Sequence, residues 1–327
     1  MEVNSMAHMI ERNEDMFVTR VPAWHGLGIM LDEPPTSREA IIAGGLDWEV
    51  IQRPLYVDFE DTQRLEDSLK PVDNYLANIR EDTETILGIV TNRYSVLQNI
   101  EAFDFVDNLI NEGIITYETA GCLEGGKRIW LLARLPESYI LGDKIDKYLC
   151  FSHGHDGQNP IKAYLTGIRV VCNNTLSFSM QSAQRIWSSK HVGNIAEKLS
   201  DAKITLGLVD NYFGSLKELA ENTVSIKLYE HEVEKLTDFL FPLPDECTDR
   251  TKNNILNMRE ELHYRHKHAP DIDNFRYTGW GYISSVTDYV SHSKPLRETK
   301  NWRENRFSSL LEGSKIVDTA IELVLAA

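Results

Sequence analysis

The stretch IITYETAGCLEGGKRIWLLARL constrains the fold more than any other segment of this 327-residue chain. Two β-rich runs flank Gly125 and Gly126. Paired glycines supply the backbone freedom that a tight strand reversal needs, so the spacing predicts an antiparallel hairpin. A second hairpin is expected where KYLCFSHGHDG meets IKAYLTGIRVVC through the turn-forming HDGQNP. Upstream, LDWEVIQRPLYVDF alternates apolar and polar residues as a half-buried strand does, and ETILGIVTNRYSVL reads as another. TSREAIIAGG predicts a short helix with Ser37 as N-cap and Gly44-Gly45 as its stop. In QNIEAFDFVDNLINEG, Ile100, Phe103, Val106, Leu109 and Ile110 share one helical face and Gly113 ends it. NNTLSFSMQSA predicts a helix start capped by Asn173 or Asn174. These elements define an α+β class, with an antiparallel sheet of hairpins packed on helices.

From about residue 192 the apolar spacing becomes helical. NIAEKLSDAKITLGLVDNYFGSLKELAEN, YEHEVEKLTDFLF, RTKNNILNMREELHYRHKH and the final NWRENRFSSLLEGSKIVDTAIELVLAA all carry it. In FRYTGWGYISSVTDYVSH, Trp280, Tyr282 and Tyr289 read as a packed helix start, loosened at its entry by Gly279 and Gly281. The expected organisation is an α+β domain over residues 1–191 and a mainly helical region over 192–327 packed on it.

Composition narrows the function classes. No apolar run approaches the roughly 18 residues that cross a bilayer, and the opening MEVNSMAHMIERNEDMF is too polar for a signal peptide. Cys122, Cys150, Cys172 and Cys247 form no C-x-x-C pair, which argues against a zinc ribbon or a disulfide scaffold and for a reducing cytoplasm. The net charge of −16 repels nucleic acid at long range, so any nucleic-acid site must be local.

Such a locality exists. No Asp or Glu occurs from Gly157 to Ala196, whereas about six would be expected in forty residues at the chain's average. Lys162, Arg169, Arg185 and Lys190 remain, interleaved with Tyr164, Phe178 and Trp187, and the neighbouring hairpin adds Lys127 and Arg128. Two readings stand. A buried sheet excludes carboxylates because an unpaired one is costly to bury, or the stretch accommodates a phosphate backbone with aromatic faces for bases.

Other constellations divide in the same way. PAWHGLG sets Trp24 and His25 beside two glycines, as a ligand lid or as a loop tucked under a tryptophan. HGHDG gathers His153, His155 and Asp156, either as a solvated hairpin tip or as the beginning of a metal site whose further histidines would come from residues 263–268. Cys172 reads as a small buried hydrophobe or, given a base in reach, a nucleophile. No G-x-S-x-G, H-E-x-x-H, Walker lysine or G-x-G-x-x-G is present.

Taken in order, PAWHGLG, LGIVTNRYSVLQNIEAFDFVDNLI, YETAGCLEGGKRIWLLARLP, HDG, RVVCNNTLS and TGWGYISSVTDYVSH resemble the phage/plasmid-like proteins of domain-of-unknown-function family 932, from about Trp24 to the final helix. The resemblance implies a mobile-element protein in a bacterial cytoplasm and carries no chemistry with it. The expectation is a non-enzymatic single-stranded DNA-binding or annealing protein of recombination or replication, acting as a homo-oligomer, without cofactor, metal or membrane. Its element order is broadly similar to that of ring-forming annealing proteins, a likeness of fold only. Lys127, Arg128, Lys162, Arg169, Arg185 and Lys190 would track the phosphates, and Tyr164 and Trp187 would stack on bases. The alternative is a counter-defence protein that binds a host immunity protein or signal, which the negative charge fits. A hydrolase using His153, His155 and Asp156 ranks last.

Overall fold

The computed structural model describes residues 12–19, 28–59, 69–109, 116–169, 174–176, 186–206, 209–295, 302 and 314–327. The chain divides into two compact units. The first comprises Met1–Pro136, Leu149–Tyr164 and Ile186–Gly207, and the second Glu137–Tyr148, Leu165–Arg185 and Leu208–Ala327.

The strands in chain order are β1 (Met16–Thr19), β2 (Ile29–Leu31), β3 (Val50–Asp58), β4 (Leu69–Arg80), β5 (Thr85–Thr91), β6 (Thr116–Leu123), β7 (Arg128–Ile140), β8 (Asp143–Gly154), β9 (Ile161–Arg169), β10 (Asn174–Leu176) and β11 (Ile186–Ser189). They form an eight-stranded sheet in the order β10-β9-β8-β7-β6-β1-β2, with β11 also paired to β9, and a three-stranded sheet β3-β4-β5. Strands β7, β8 and β9 contribute residues to both units. The predicted glycine-centred hairpin is present: β6 and β7 pair antiparallel, with Gly125 and Gly126 at φ of 68° and 113° in the turn. Within the large sheet β1 and β2 run parallel.

In the first unit, helices α1 (Ser37–Ala43) and α2 (Asn99–Leu109) cover sheet residues. Phe103 packs on Tyr117 of β6, and Phe105 on Phe151 of β8, each with ring centroids 5.2 Å apart. The cap of α1 is Thr36, one residue before the predicted Ser37. It forms a capping box with Glu39, a pattern the sequence T-S-R-E carries. Ile100, expected on the buried face of α2, is exposed, while Ala102 and Phe105 are buried with Phe103 and Val106. Leu109 and Ile110 have side chains outside the described set. The three-stranded sheet is tied to α2 by Gln98, whose amide both accepts from and donates to the Val50 backbone at 2.9 Å, completing the strand's hydrogen bonds as a neighbouring strand would. The first unit also holds α3 (Ile195–Leu206).

The second unit is built around α7 (Gly279–His292), which contacts α4 (Val209–Val224), α6 (Asp249–His268), α8 (Lys315–Leu325) and β10. Between Gly279 and Thr287 every residue of α7 is buried, the pattern of a helix surrounded by protein. A Cβ on Gly281 would overlap the Phe275 carbonyl oxygen, so the entry of this helix requires glycine. Helix α5 (Glu230–Leu240) packs against α6 and α8. The continuous helix expected over 194–222 is two elements, α3 and α4. The helix expected from Asn174 is contradicted: Asn174–Leu176 is strand β10, antiparallel to Gly167–Arg169, because sheet pairing overrides the capping tendency of asparagine.

Candidate functional site

Two adjoining clefts lie in the first unit. One, of about 660 Å³, is lined by Ile86–Ile89 of β5, Glu124 and Lys127 of the β6–β7 turn, Arg128 at the start of β7, and Asp156, Gln158 and Asn159. The other, of about 530 Å³, shares Ile86, Glu124 and Lys127 with it and adds Arg12, Arg80, Thr83, Thr85 and Gly125. Asp156 spends its carboxylate on its own turn, accepting from the backbone of Gln158 (2.9 Å) and Asn159 (3.0 Å) and from Asn159 Nδ2 (2.6 Å). A Cβ on Gly88 would meet the Asp156 backbone at 2.6 Å, so β5 and this turn touch through a glycine. Most of the cations are engaged. Arg12 pairs with Asp15 and Arg80 with Asp82, while Lys127 lies 3.9 Å from Glu124. Arg80 also lies 4.4 Å above the Trp48 ring and donates to the Gly125 carbonyl. Arg128 differs: its Nε is buried with no hydrogen-bond partner among the described residues.

Behind the Asp156 turn lies a cluster of three buried imidazoles. His153 and His155 come from β8 and its end, His191 from the segment after β11. The ring centroids of His153 are 4.8 Å from those of His155 and 6.0 Å from those of His191. The backbone fixes their positions. His155 N donates to Lys127 O (2.8 Å), and Asn78 Nδ2 donates to His155 O (2.7 Å). Tyr94 stacks on His191 at 4.8 Å and donates its hydroxyl to Gly154 O.

Hydrogen bonding sets two tautomers. The Asn99 amide nitrogen donates to the Leu46 carbonyl at 3.0 Å, leaving Asn99 Oδ1 as an acceptor for His155 Nε2 at 3.1 Å. His155 therefore carries its proton on Nε2, and Nδ1 holds a lone pair. His191 Nδ1 faces the Ser95 carbonyl at 3.2 Å, so the proton is on Nδ1 and Nε2 holds the lone pair. Both lone-pair nitrogens, and both nitrogens of His153, are buried with no hydrogen-bond partner among the described residues. Burial disfavours the charged form of all three. His155 is lowered to about 3 and His191 to about 4, and His153 falls well below the usual histidine value with the other two rings adding to the shift. All three are neutral imidazoles at pH 7.

The predicted site residues fare unequally. HGHDG is not a solvated tip: His153 is 1% exposed and His155 0%. The turn is exposed only beyond Asp156, at Gly157 and Gln158, because the histidines sit on the sheet side of it. Their companion is His191, with none of the histidines at 263–268, and no local pattern announces it. It arrives through the Tyr94–Val192 bridge and the Ser95–His191 backbone bond, pairings between residues almost one hundred positions apart. Lys127 and Arg128 share a cleft. Lys162 lies on β9 with its Nζ 5.9 Å from the Tyr164 ring centroid. Tyr164 is 6% exposed, too buried to stack on a base, which corrects that expectation. Trp187 is half-buried and opposes Ala163 in register, so it projects to the other face of β9–β11 from Lys162, which opposes Ser188. Lys190 is exposed beyond the end of β11. Arg185, Trp24, His25, Cys172 and the side chain of Arg169 lie outside the described residues. Cys150 is buried and its thiol is pushed up to about 12 by desolvation, which makes it inert.

The family model for a domain of unknown function, DUF932, matches residues 86–311. That is more than half of the chain, which therefore belongs to this family. No curated protein and no solved structure matches the chain. Among the described residues no helix is long and apolar enough to cross a membrane.

Proposed function

We propose that this DUF932 protein, encoded by a phage or plasmid, binds single-stranded DNA in recombination or replication without performing chemistry on it. One observation carries the reading. The paired clefts bring Arg12, Arg80, Lys127 and Arg128 together, and the Nε of Arg128 has no hydrogen-bond partner among the described residues. That Nε is enclosed, so a phosphate oxygen would be met by the outer nitrogens of the half-buried guanidinium. Exposed Ile86 and Ile89 on β5 give bases an apolar surface beside the cations. The strand path runs along the β6–β7 turn, with Lys162 and Lys190 as further contacts, and the acidic remainder keeps non-specific binding weak. Protomers side by side extend the groove.

The test is fluorescence anisotropy of a labelled single-stranded oligonucleotide across a salt series. The wild type binds with a steep negative slope, and the Lys127→Glu/Arg128→Glu variant loses about 1.4 from that slope, two phosphate contacts at ~0.7 each. No binding by the wild type at low salt overturns the reading in favour of a counter-defence protein directed at a host immunity protein or signal.

A further inference from the structure

We propose that His153, His155 and His191 together bind one divalent transition-metal ion of the zinc class, in a site separate from the DNA clefts.

The argument starts from the hydrogen bonds. A buried polar atom is nearly always partnered, and one that is not calls for a reason. Here the unpartnered atoms are gathered in one place: His155 Nδ1, His191 Nε2 and both nitrogens of His153. Two of the rings have the opposite nitrogen anchored, His155 Nε2–H on the Asn99 side chain and His191 Nδ1–H on the Ser95 carbonyl. A ring N–H held by a carbonyl or amide oxygen, with the lone pair on the other nitrogen, is the arrangement that orients a metal-ligating histidine.

Spacing agrees for one pair. With a zinc–nitrogen bond of about 2.0 Å, two imidazoles sharing one tetrahedral ion have ring centroids about 5 Å apart. His153 and His155 have that separation, at 4.8 Å, while His191 stands wider, 6.0 Å from His153. Among the described residues no group of three His, Cys, Asp or Glu side chains is already arranged to hold a metal ion, so loading requires a ring to turn. His153 is the ring whose turning breaks no hydrogen bond among the described residues. Three imidazole nitrogens select zinc, cobalt, nickel or copper over magnesium and calcium, which take oxygen.

The experiment titrates Co²⁺ into the full-length, chelator-treated protein at neutral pH. One Co²⁺ per chain is expected, with the visible absorption of four-coordinate cobalt, displaced by Zn²⁺ and untouched by Mg²⁺. His155→Gln and His191→Gln each weaken binding at least about 10-fold, whereas His231→Gln and His268→Gln, on exposed helix positions, leave it unchanged. Zinc-edge X-ray absorption of the loaded wild type needs no variant and should show imidazole nitrogen from three histidines. Absence of saturable Co²⁺ binding, full affinity in His191→Gln, or a zinc shell of oxygen alone overturns the proposal. DNA binding is read separately, so its failure leaves this result intact and the converse holds.

Discussion

Buried histidines occur in both units, and they are treated differently. In the helical unit His266 of α6 has Nδ1 2.9 Å from Ser285 Oγ, and Ser285 passes its own proton to the Gly281 carbonyl at 2.8 Å. That chain of donors and acceptors closes, and His266 reads as a core residue that fixes α6 against α7. In the first unit the chains stop short. Asn99 and Ser95 each satisfy one nitrogen of a ring and leave the other bare, and His153 has none satisfied among the described residues. A closed network serves packing, while a cluster of lone pairs that face no donor serves a ligand. Burial alone does not separate the two cases; the accounting of ring nitrogens does.

The largest effect that can break this contrast is acid. His153, His155 and His191 have depressed values in the folded protein, while the unfolded chain takes up protons near about 6.5. Between these values the unfolded state holds more protons, so stability is complete above about pH 6.5 and falls as pH drops towards about 3. The three rings give a limiting slope of about 4 kcal/mol per pH unit, and His266, lowered to about 4, adds about 1.4 with the same sign in the other unit. Urea unfolding at a series of pH values measures the slope, and a flat profile from pH 7 to 5 contradicts it.

Next in size is Gly88→Ala, which forces a Cβ to within 2.6 Å of the Asp156 backbone and should cost about 3 kcal/mol by pushing away the turn that follows His155. Asn99→Ala then strands the His155 Nε2–H and should cost about 2 kcal/mol, read by the same denaturation. Its counterpart Ser285→Ala strands the His266 donor and should cost about 1 kcal/mol. Smallest is Lys127→Ala: its long, half-exposed pair with Glu124 makes the stability change less than about 0.5 kcal/mol, while the salt slope for single-stranded DNA falls by about 0.7.

Which features could be read from the chain follows from how local they are. The β6–β7 hairpin announces itself because Gly125 and Gly126 interrupt two β-rich runs, and α7 does so through Trp280, Tyr282 and Tyr289, whereas its Thr278 cap and the Phe275 carbonyl against Gly281 emerge from the structure. Strand β10 does not, since Asn174 carries a cap signal that only pairing with Arg169 cancels. The acid-free window has the same weakness. Its residues divide between faces of β9–β11, with Trp187 away from Lys162, because alternation along a strand separates neighbours in sequence. Lys127 and Arg128 come together in one cleft because they are adjacent where the turn enters β7. The histidine cluster was half visible: His153 and His155 stand two apart, but burial of HGHDG and the arrival of His191 depend on contacts made by Asn78, Lys127, Tyr94 and Ser95 from distant segments.

The account stands on three neutral imidazoles with defined tautomers, and long-range proton–nitrogen correlation NMR on the ¹⁵N-labelled, metal-free protein at pH 7 reads them directly. The predicted spectrum has a proton on Nε2 of His155, a proton on Nδ1 of His191, and no imidazolium among the buried rings. An imidazolium pattern for any of the three, or protons on the opposite nitrogens of His155 and His191, would contradict it.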